Sequence, residues 1–358
     1  MREEHGVSLS RLTTLRVGGP AQRLVTAETT DELVDAVREV DDADEPLLVI
    51  AGGSNLVVCD QGFPGSVVRV ATSGVSVESA DSSAVTVRVA AGEVWDEVVV
   101  RAVAQGWSGI EALSGIPGCA GATPIQNVGA YGQEVAQSIA AVRVWDRREE
   151  QVLTFTNADC QFTYRDSLFK AQPRYVVLDV VLQLAVSTRS GPVQYAGLAR
   201  ALGVEAGQRV PLADAREAVL VQRRQKGMVL DVADHDTWSC GSFFTNPIMS
   251  AGAYGRLQER ARARLGSRAQ AARPPRFDAP EGQVKTSAAW LIDKAGFGKG
   301  YRMPGPAALS TKHSLAVTNR GSATAADILA LAREICDGVH DAFGVRLVNE
   351  PILVGISL

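Results

Sequence analysis

The chain has 358 residues, of which 46% are hydrophobic and 21% are charged. This composition is typical of a globular protein, and the length predicts two or three domains. A formal net charge of −4 argues against a nucleic-acid partner, because such proteins carry a basic field. No apolar run approaches the roughly 18 residues of a membrane span, and the N-terminal residues lack a signal-peptide core, so we expect a cytoplasmic protein without a membrane partner.

The first elements of the chain lead to a pair of glycines. Residues 12–19 predict a strand that runs into a turn, and Thr29 with Glu32 forms the capping pattern of a helix start. The apolar run Leu47–Ile50 predicts a strand of the type buried on both faces of a sheet. Gly52 and Gly53 follow it directly.

This first glycine segment, residues 51–55, is a candidate anion cradle. Backbone amides at the end of a strand can surround phosphate oxygens, and Ser54 and Asn55 add polar groups. An ordinary turn is the alternative. The pattern is neither Gly-x-Gly-x-x-Gly nor a Walker loop, so it supports neither a standard nicotinamide site nor a nucleotide hydrolase.

The second glycine segment, residues 114–132, has five glycines in nineteen positions and no lysine or arginine. Such backbone turns sharply and offers N–H groups to an anion. Ile116, Ile125 and Val128 are spaced through it and indicate burial, whereas an ordinary surface loop is the alternative. Both glycine segments could therefore contact one extended cofactor.

The remaining elements indicate a mixed α/β class. We predict strands at residues 67–70, 85–89, 142–145 and 175–182. We predict helices at residues 93–105, 212–226, 287–294 and 325–343, with an exposed helix at 256–273. Five scattered cysteines without a Cys-x-x-Cys pattern predict buried thiols, with no disulfide framework and no metal site.

Five segments occur in the order found in the UDP-N-acetylenolpyruvoylglucosamine reductases, and the chain resembles that family over nearly its whole length. The segments are 51–55, 116–132, 164–170, 241–247 and 289–293. The resemblance implies an FAD enzyme of peptidoglycan synthesis with the vanillyl-alcohol-oxidase (PCMH-type) FAD-binding fold. That fold has two α/β subdomains, here 1–70 and 71–214 completed by 346–358, and a substrate-binding domain, here 215–345.

The resemblance also implies the reaction. The family reduces the enolpyruvyl ether of UDP-N-acetylglucosamine to UDP-N-acetylmuramate with NADPH, and we expect non-covalent FAD and a monomer. None of the four histidines lies in a glycine segment, so attachment of flavin through a loop histidine is not expected. The implied FAD-binding residues are Gly52, Gly53, Ser54, Asn55, Leu56, Gly118, Gly121, Ala122, Gln126, Asn127, Gly129, Ala130, Tyr131 and Gly132.

Three residues match the family's catalytic positions. Reduction of this ether needs a hydride donor, a group that stabilises charge on the carboxylate side, and a proton donor for the α-carbon. Arg165 matches the charge stabiliser, since it is permanently cationic, with an ion pair to Asp159 or Asp166 as the alternative. Ser242 matches the proton donor, with turn capping as the alternative. Glu350 matches the catalytic glutamate, with an exposed edge residue as the alternative.

The resemblance also implies which residues bind the substrate. The implied substrate-binding residues are Tyr164, Tyr195, Arg223, Lys226, Asn246 and Lys299. Residues 192–202 resemble the insertion of the first type of these reductases, in which a tyrosine closes over the UDP diphosphate, and Tyr195 takes that place. Lys226 is the first choice for a phosphate contact and Arg223 the second. Tyr164 either positions flavin or substrate or is simply buried.

Two departures and two other functions stay open. Phe277 falls where the family can have tyrosine, and Thr245 falls where lysine is common, so this sequence departs from the family's pattern at two positions assigned to nucleotide contacts. One alternative is a flavin oxidase of the same fold acting on a sugar or an alcohol. The other is a flavin-binding or UDP-sugar-binding sensor without turnover.

Overall fold

The computed structural model describes residues 1–170, 172–266 and 273–358. The helices are α1 (Thr30–Asp42), α2 (Trp95–Ala104), α3 (Ala196–Leu202), α4 (Leu212–Gln225), α5 (Ala251–Leu265), α6 (Ala288–Ala295) and α7 (Ala325–Phe343). The strands are β1 (Arg2–Ser8), β2 (Pro20–Ala27), β3 (Leu47–Ile50), β4 (Leu56–Val58), β5 (Phe63–Val70), β6 (Val75–Ala80), β7 (Ala84–Ala90), β8 (Trp107–Ser108), β9 (Gly129–Ala130), β10 (Gln133–Glu134), β11 (Ile139–Asp146), β12 (Gln151–Thr156), β13 (Tyr175–Val186), β14 (Ile248–Met249), β15 (Phe277–Asp278), β16 (Val284–Lys285), β17 (Ala307–Leu309), β18 (Val317–Asn319) and β19 (Ile352–Val354).

The chain forms two compact units. The first unit contains Met1–Ser8, Pro20–Gly53 and Phe63–Leu230, and the second contains Leu9–Gly19, Ser54–Gly62 and Asp231–Leu358. Helix α4, which lies almost wholly in the range predicted for the substrate domain, belongs to the first unit. The division into three domains stays a prediction.

The first unit begins with a four-stranded sheet of order β1-β2-β5-β3. Strands β2, β5 and β3 are parallel, and α1 starts where the Thr29 side chain accepts a hydrogen bond from the Glu32 N–H group. The predicted strand Leu47–Ile50 is confirmed, but its burial on both faces is wrong. It lies at the edge of the sheet, so three of its four residues are only half-buried.

A larger antiparallel sheet of order β12-β11-β13-β7-β6 completes the first unit, with β8 paired to the end of β13. Its strands include all three predicted from residue 85 to 182, and α2 confirms the predicted helix that ends before Gly106. Apolar residues of this sheet pack with α1 and α2 in one core, in which Trp95 is 1% exposed. Apolar residues of the second glycine segment, among them Ile116, Ile125 and Val128, pack against this core.

The second unit has helices α5, α6 and α7 around short strands. Helix α7 matches its predicted range, because Thr324 and Asp327 cap its start reciprocally and Gly344 ends it in a left-handed conformation. The predicted strand over residues 12–19 is wrong. Leu9–Leu12 forms a 3-10 turn instead, and the Leu9 N–H group donates to the Gly19 oxygen at 2.9 Å to close a loop.

The C-terminal strand does not pair with a strand of residues 71–214. It is β19, and it pairs in parallel with β4 inside the second unit.

Helix α5 covers the first part of the predicted helix 256–273, while residues 267–272 lie outside the described residues. No helix in the described parts of the chain combines the length and the apolar character of a membrane span.

All five cysteines are buried free thiols, as predicted. Burial raises the pKa of Cys160 and of Cys240 to about 12, which keeps both thiols protonated near neutral pH. In the described part of the chain, no cluster of histidine, cysteine and carboxylate side chains is arranged to hold a metal ion.

Candidate active site

The two glycine segments touch each other through bare backbone. A Cβ atom built on Gly52 would lie 2.5 Å from the Gly118 Cα atom and 3.0 Å from the Gly118 carbonyl carbon. Gly53 and Gly118 have φ values of 56° and 114°, which side chains rarely tolerate. The segments therefore approach closely only because these positions are glycine. A paired cradle of this kind fits an extended anionic ligand that must meet backbone N–H groups.

The second glycine segment is a packed structure and not an ordinary surface loop. Trp95 at the start of α2 donates its backbone N–H to the Gly118 oxygen at 3.0 Å. Gly121 donates to the Ala91 oxygen at 2.9 Å, and a Cβ atom there would lie 2.5 Å from the Ala91 Cβ atom. Ala120 is fully buried. The surface-loop alternative is wrong because the apolar positions pack on the sheet core.

Arg165 lies in a tight turn against this segment. The turn is closed by Thr163 and Asp166, whose backbone groups bond reciprocally, and Arg165 has a φ of 57°. Its guanidinium donates to the Asn127 oxygen at 3.2 Å and to the Gly129 oxygen at 2.6 Å. A Cβ atom on Gly129 would lie 2.9 Å from the guanidinium. The predicted charge stabiliser thus rests on the predicted cofactor segment.

The side chain of Asn127 holds the turn in place. Its Nδ2 group donates to the Thr163 oxygen and to the Glu134 carboxylate, both at 2.9 Å, and its Oδ1 atom accepts from the Ala136 N–H group at 3.2 Å. Asn127 is 1% exposed. The side-chain amide is therefore occupied by bonds within the protein, and Asn127 can contact a cofactor only through its backbone.

Ser167 and Glu111, neither of which was predicted as a site residue, support this part of the chain. The Ser167 hydroxyl donates to the Ile125 oxygen at 2.7 Å. Glu111 is 2% exposed, and its carboxylate accepts from the Gly109 N–H group at 2.7 Å and from the Gln133 amide at 2.9 Å. Ser167 and Ile125 are 42 positions apart in the sequence, so only the folded chain brings them together.

An aromatic and basic cluster lies at the end of the second glycine segment. The rings of Tyr131 and Tyr195 meet edge to face, with centroids 5.4 Å apart. The Lys226 Nζ atom lies 5.6 Å from the Tyr131 ring centroid. Tyr195 is 43% exposed, and a Cβ atom on Gly197 would lie 2.8 Å from its ring. Tyr131, predicted for FAD, therefore lies beside Tyr195 and Lys226, both predicted for the substrate.

Arg223 lies under this cluster with unused hydrogen-bonding capacity. Its Nη2 group donates to the Met228 oxygen at 2.7 Å, but its buried Nε atom has no hydrogen-bond partner among the described residues. Burial lowers the pKa of Arg223 to about 10, while Tyr131 and Asp96 oppose that shift. The side chain remains cationic near neutral pH. A buried unpaired donor next to a lysine suits an anionic group.

In the second unit, the segments that carry Ser242 and Glu350 pair as antiparallel backbone. The Glu350 N–H group donates to the Phe243 oxygen at 2.8 Å, and the Thr245 N–H group donates to the Val348 oxygen at 3.0 Å. Phe243 is fully buried and fixes this pairing. The fold therefore brings the two predicted catalytic residues of this unit together.

Ser242 is half-buried, and its hydroxyl makes no hydrogen bond within the described part of the chain. The nearby turn is capped by a different serine, since the Ser239 hydroxyl accepts from the Gly241 N–H group at 3.2 Å. The turn-capping alternative for Ser242 is therefore not supported. Glu350 is half-buried, which does not fit the alternative of an exposed edge residue.

Asn55, which belongs to the second unit, contacts Glu350. Its side-chain amide approaches the Glu350 oxygen at 3.4 Å, and its own oxygen accepts from the Ile352 N–H group at 2.9 Å. Leu56 begins β4. Asn55 is therefore held beside Glu350 by backbone pairing of β4 with β19.

The other predicted substrate residues of the second unit are more dispersed. The Asn246 Oδ1 atom accepts from the Ala288 N–H group at 3.0 Å, at the start of α6. Lys299 is exposed in a glycine-rich turn. Phe277 is 52% exposed on β15, and Thr245 bonds to Val348. These contacts locate the residues but test no ligand role.

Comparisons with known proteins agree over the whole chain. The model of the UDP-N-acetylenolpyruvoylglucosamine reductase C-terminal domain matches residues 233–354, and the model of an FAD binding domain matches residues 21–155. The UDP-N-acetylenolpyruvoylglucosamine reductase of Streptomyces coelicolor is 57% identical, over 100% of this chain and 92% of that protein. The same-named protein of Thermobifida fusca is 55% identical, over 98% of each.

A solved structure also resembles this chain over its whole length. The crystal structure of the UDP-N-acetylenolpyruvylglucosamine reductase of Thermus caldophilus is 27% identical and covers 99% of each chain, with a TM-score of 0.65. The FAD-domain match and the mixed α/β architecture confirm the predicted fold class. The chain belongs to the UDP-N-acetylenolpyruvoylglucosamine reductase family.

Proposed function

We propose that this protein reduces the enolpyruvyl ether of UDP-N-acetylglucosamine to UDP-N-acetylmuramate for peptidoglycan synthesis, with FAD as resident cofactor and NADPH as co-substrate. The proposal rests on family membership over the full chain. We expect the enzyme to act as a monomer in the cytoplasm, where a nucleotide sugar and NADPH are both available.

The single observation that supports the cofactor best is the approach of Gly52 to Gly118. Side chains are excluded there, so backbone amides can reach the pyrophosphate of FAD directly. We assign Gly52, Gly53 and the segment 118–132 to hold it. When bound, FAD supplies the hydride that it receives from NADPH.

Arg165 has the properties of the charge stabiliser. Its bonds to the Asn127 and Gly129 carbonyls orient the guanidinium. A preoriented cation stabilises the negative charge that develops on the carboxylate side of the substrate more than a mobile one would.

Ser242 and Glu350 are assigned to proton transfer. A serine hydroxyl is a weak acid, so it can protonate only a strongly basic carbon that it reaches directly. Its lack of a partner in the described chain leaves the hydroxyl available for that carbon. We assign Glu350, on the paired segment, to moderate the charge at the same step.

The nucleotide end is assigned to Tyr195, Lys226 and Arg223, with Tyr164, Asn246 and Lys299 as further substrate contacts. The two cations suit a diphosphate, and the buried Arg223 Nε atom lacks a protein partner in the described chain. The phenol of Tyr195 rests on Tyr131 and is accessible to ligand.

The test is rapid mixing of the two half-reactions under anaerobic conditions. The FAD-loaded protein should be reduced by NADPH and then reoxidised by the enolpyruvyl substrate. In a separate experiment the reduced protein is mixed with oxygen, and a flavin oxidase would then be reoxidised rapidly with release of peroxide. A sensor would bind the UDP-sugar without consuming NADPH, and either result would overturn the proposal.

A further inference from the structure

Asp96 is an acidic residue outside the predicted site, and it joins three elements of the first unit. It lies in the first turn of α2 and is half-buried. Its Oδ1 atom accepts from the Gly115 N–H group at 2.6 Å and from Arg216 at 2.7 Å, and its Oδ2 atom accepts from Arg216 at 2.8 Å. One carboxylate therefore binds both the second glycine segment and α4.

The glycine segment is fixed at this point from both sides. Trp95, next to Asp96, donates its indole N–H to the Leu113 oxygen at 3.2 Å and its backbone N–H to the Gly118 oxygen at 3.0 Å. Gly115 has a φ of 70°, and a Cβ atom there would lie 2.8 Å from Leu220 of α4. Leu220 of α4 therefore packs directly on the backbone of Gly115, where a side chain would not fit.

Helix α4 carries the predicted nucleotide contacts at its far end. Arg216 and Arg223 are seven residues apart, which places them about two turns apart on the same helix face. The Arg223 Nε atom would lie 3.5 Å from a Cβ atom on Gly115. The bidentate bond from Arg216 to Asp96 therefore sets how far α4 extends past the segment, and with it the position of Arg223 and Lys226.

The charges favour the same arrangement. Burial pushes the pKa of Asp96 upward, but the bonds from Arg216 and Gly115 and the charge of Arg223 outweigh it, so the pKa is lowered. Asp96 in turn opposes the effect of burial on Arg223. A carboxylate that stays ionised is thus available to hold two cations of α4 in place.

We propose that Asp96 is a positioning residue for the nucleotide-binding end of the site: it sets the register of α4 on the second glycine segment and thereby places Arg223 and Lys226 for the diphosphate. This inference rests on the proposed function. Asp96 itself contacts neither substrate nor cofactor in this account. Its loss affects binding of the UDP-sugar before it affects hydride transfer from NADPH.

The test compares Asp96→Ala with Asp96→Asn in the FAD-loaded protein. The alanine variant should raise the Kd for UDP-N-acetylglucosamine and the KM for the enolpyruvyl substrate by about 10- to 100-fold, the range for a displaced binding group. At saturating NADPH the rate of flavin reduction should change less than about twofold, since the cations that Asp96 positions are assigned to the diphosphate and not to hydride transfer. Asparagine keeps an acceptor for Gly115 and should restore part of the affinity.

The control is Asp81→Ala, which removes a first-unit carboxylate that accepts from the Ser83 and Ala84 N–H groups. It should leave Kd and KM unchanged. If Asp96→Ala does not fold, Arg216→Gln should show the same rise in Kd. Wild-type Kd values in the folded variants would overturn this inference alone, whereas a wild-type protein that binds no UDP-sugar would overturn the proposed function as well.

Discussion

The closest backbone contact in the predicted cofactor cradle makes Gly52→Ala a sharp perturbation. The added methyl group would lie 2.5 Å from the Gly118 Cα atom, whereas carbon atoms in ordinary contact are about 3.5–4.0 Å apart. Both partners are backbone, so a rotamer change offers no relief. The two segments must separate by about 1 Å, and overpacking of this kind costs about 1–3 kcal/mol.

If that cost is expressed in binding, the Kd for FAD should rise by about 5- to 150-fold, since about 1.4 kcal/mol corresponds to a factor of ten. The assay is a titration of the apoprotein with FAD, in which quenching of the flavin fluorescence reports binding. Gly255→Ala is the matched control, because a Cβ atom inside α5 would meet nothing within 4 Å. It should bind FAD normally and gain roughly 0.5–1 kcal/mol of stability. A folded Gly52→Ala protein with the wild-type Kd would refute the cradle.

Three further predictions follow from the assigned roles. Ser242→Ala should leave flavin reduction by NADPH nearly intact but slow reoxidation by substrate by about 10²–10⁴-fold, and an unchanged rate in stopped flow would remove serine as the acid. Tyr195→Phe and Lys226→Ala should raise the KM for the UDP-sugar more than they lower flavin reduction, and unchanged KM values in steady-state assays would exclude both residues. For Asp236, burial raises the pKa, but bonds from Thr311 and the charge of Arg320 lower it overall, so its stabilisation is full above about pH 4 and is lost as the pH falls through the lowered pKa. Acid denaturation should therefore be less pH-dependent in Asp236→Asn than in the wild type or in Asp278→Asn, whose side chain is 98% exposed, and equal profiles would contradict this.

Local patterns predicted the elements that carry their own signals. Helix α7 has its cap, its apolar face and its final glycine within its own residues, so its range was available from the sequence. Residues 12–19 lack such signals, and their loop is closed by a hydrogen bond from Leu9 to Gly19 that apolar alternation does not reveal. The edge position of β3 likewise depends on sheet order, which no single segment encodes.

The candidate site shows the same division. Glycines at Gly52 and Gly118 marked close backbone approach, but nothing in the sequence indicated that they approach each other. The pairing of the Ser242 and Glu350 segments joins residues more than a hundred positions apart. Asp96 was missed because an acidic residue in the first turn of a helix is common for reasons of helix stability alone. Its partners appear only after folding.

We propose above that this protein is an FAD enzyme that uses NADPH to reduce the enolpyruvyl ether of a UDP-sugar. The most direct measurement is the absorbance spectrum of the purified protein, followed by NADPH oxidation with and without that substrate. We predict a flavin spectrum and substrate-dependent oxidation of NADPH. A protein that is colourless and binds no added FAD, or one whose NADPH oxidation ignores the substrate, would contradict it.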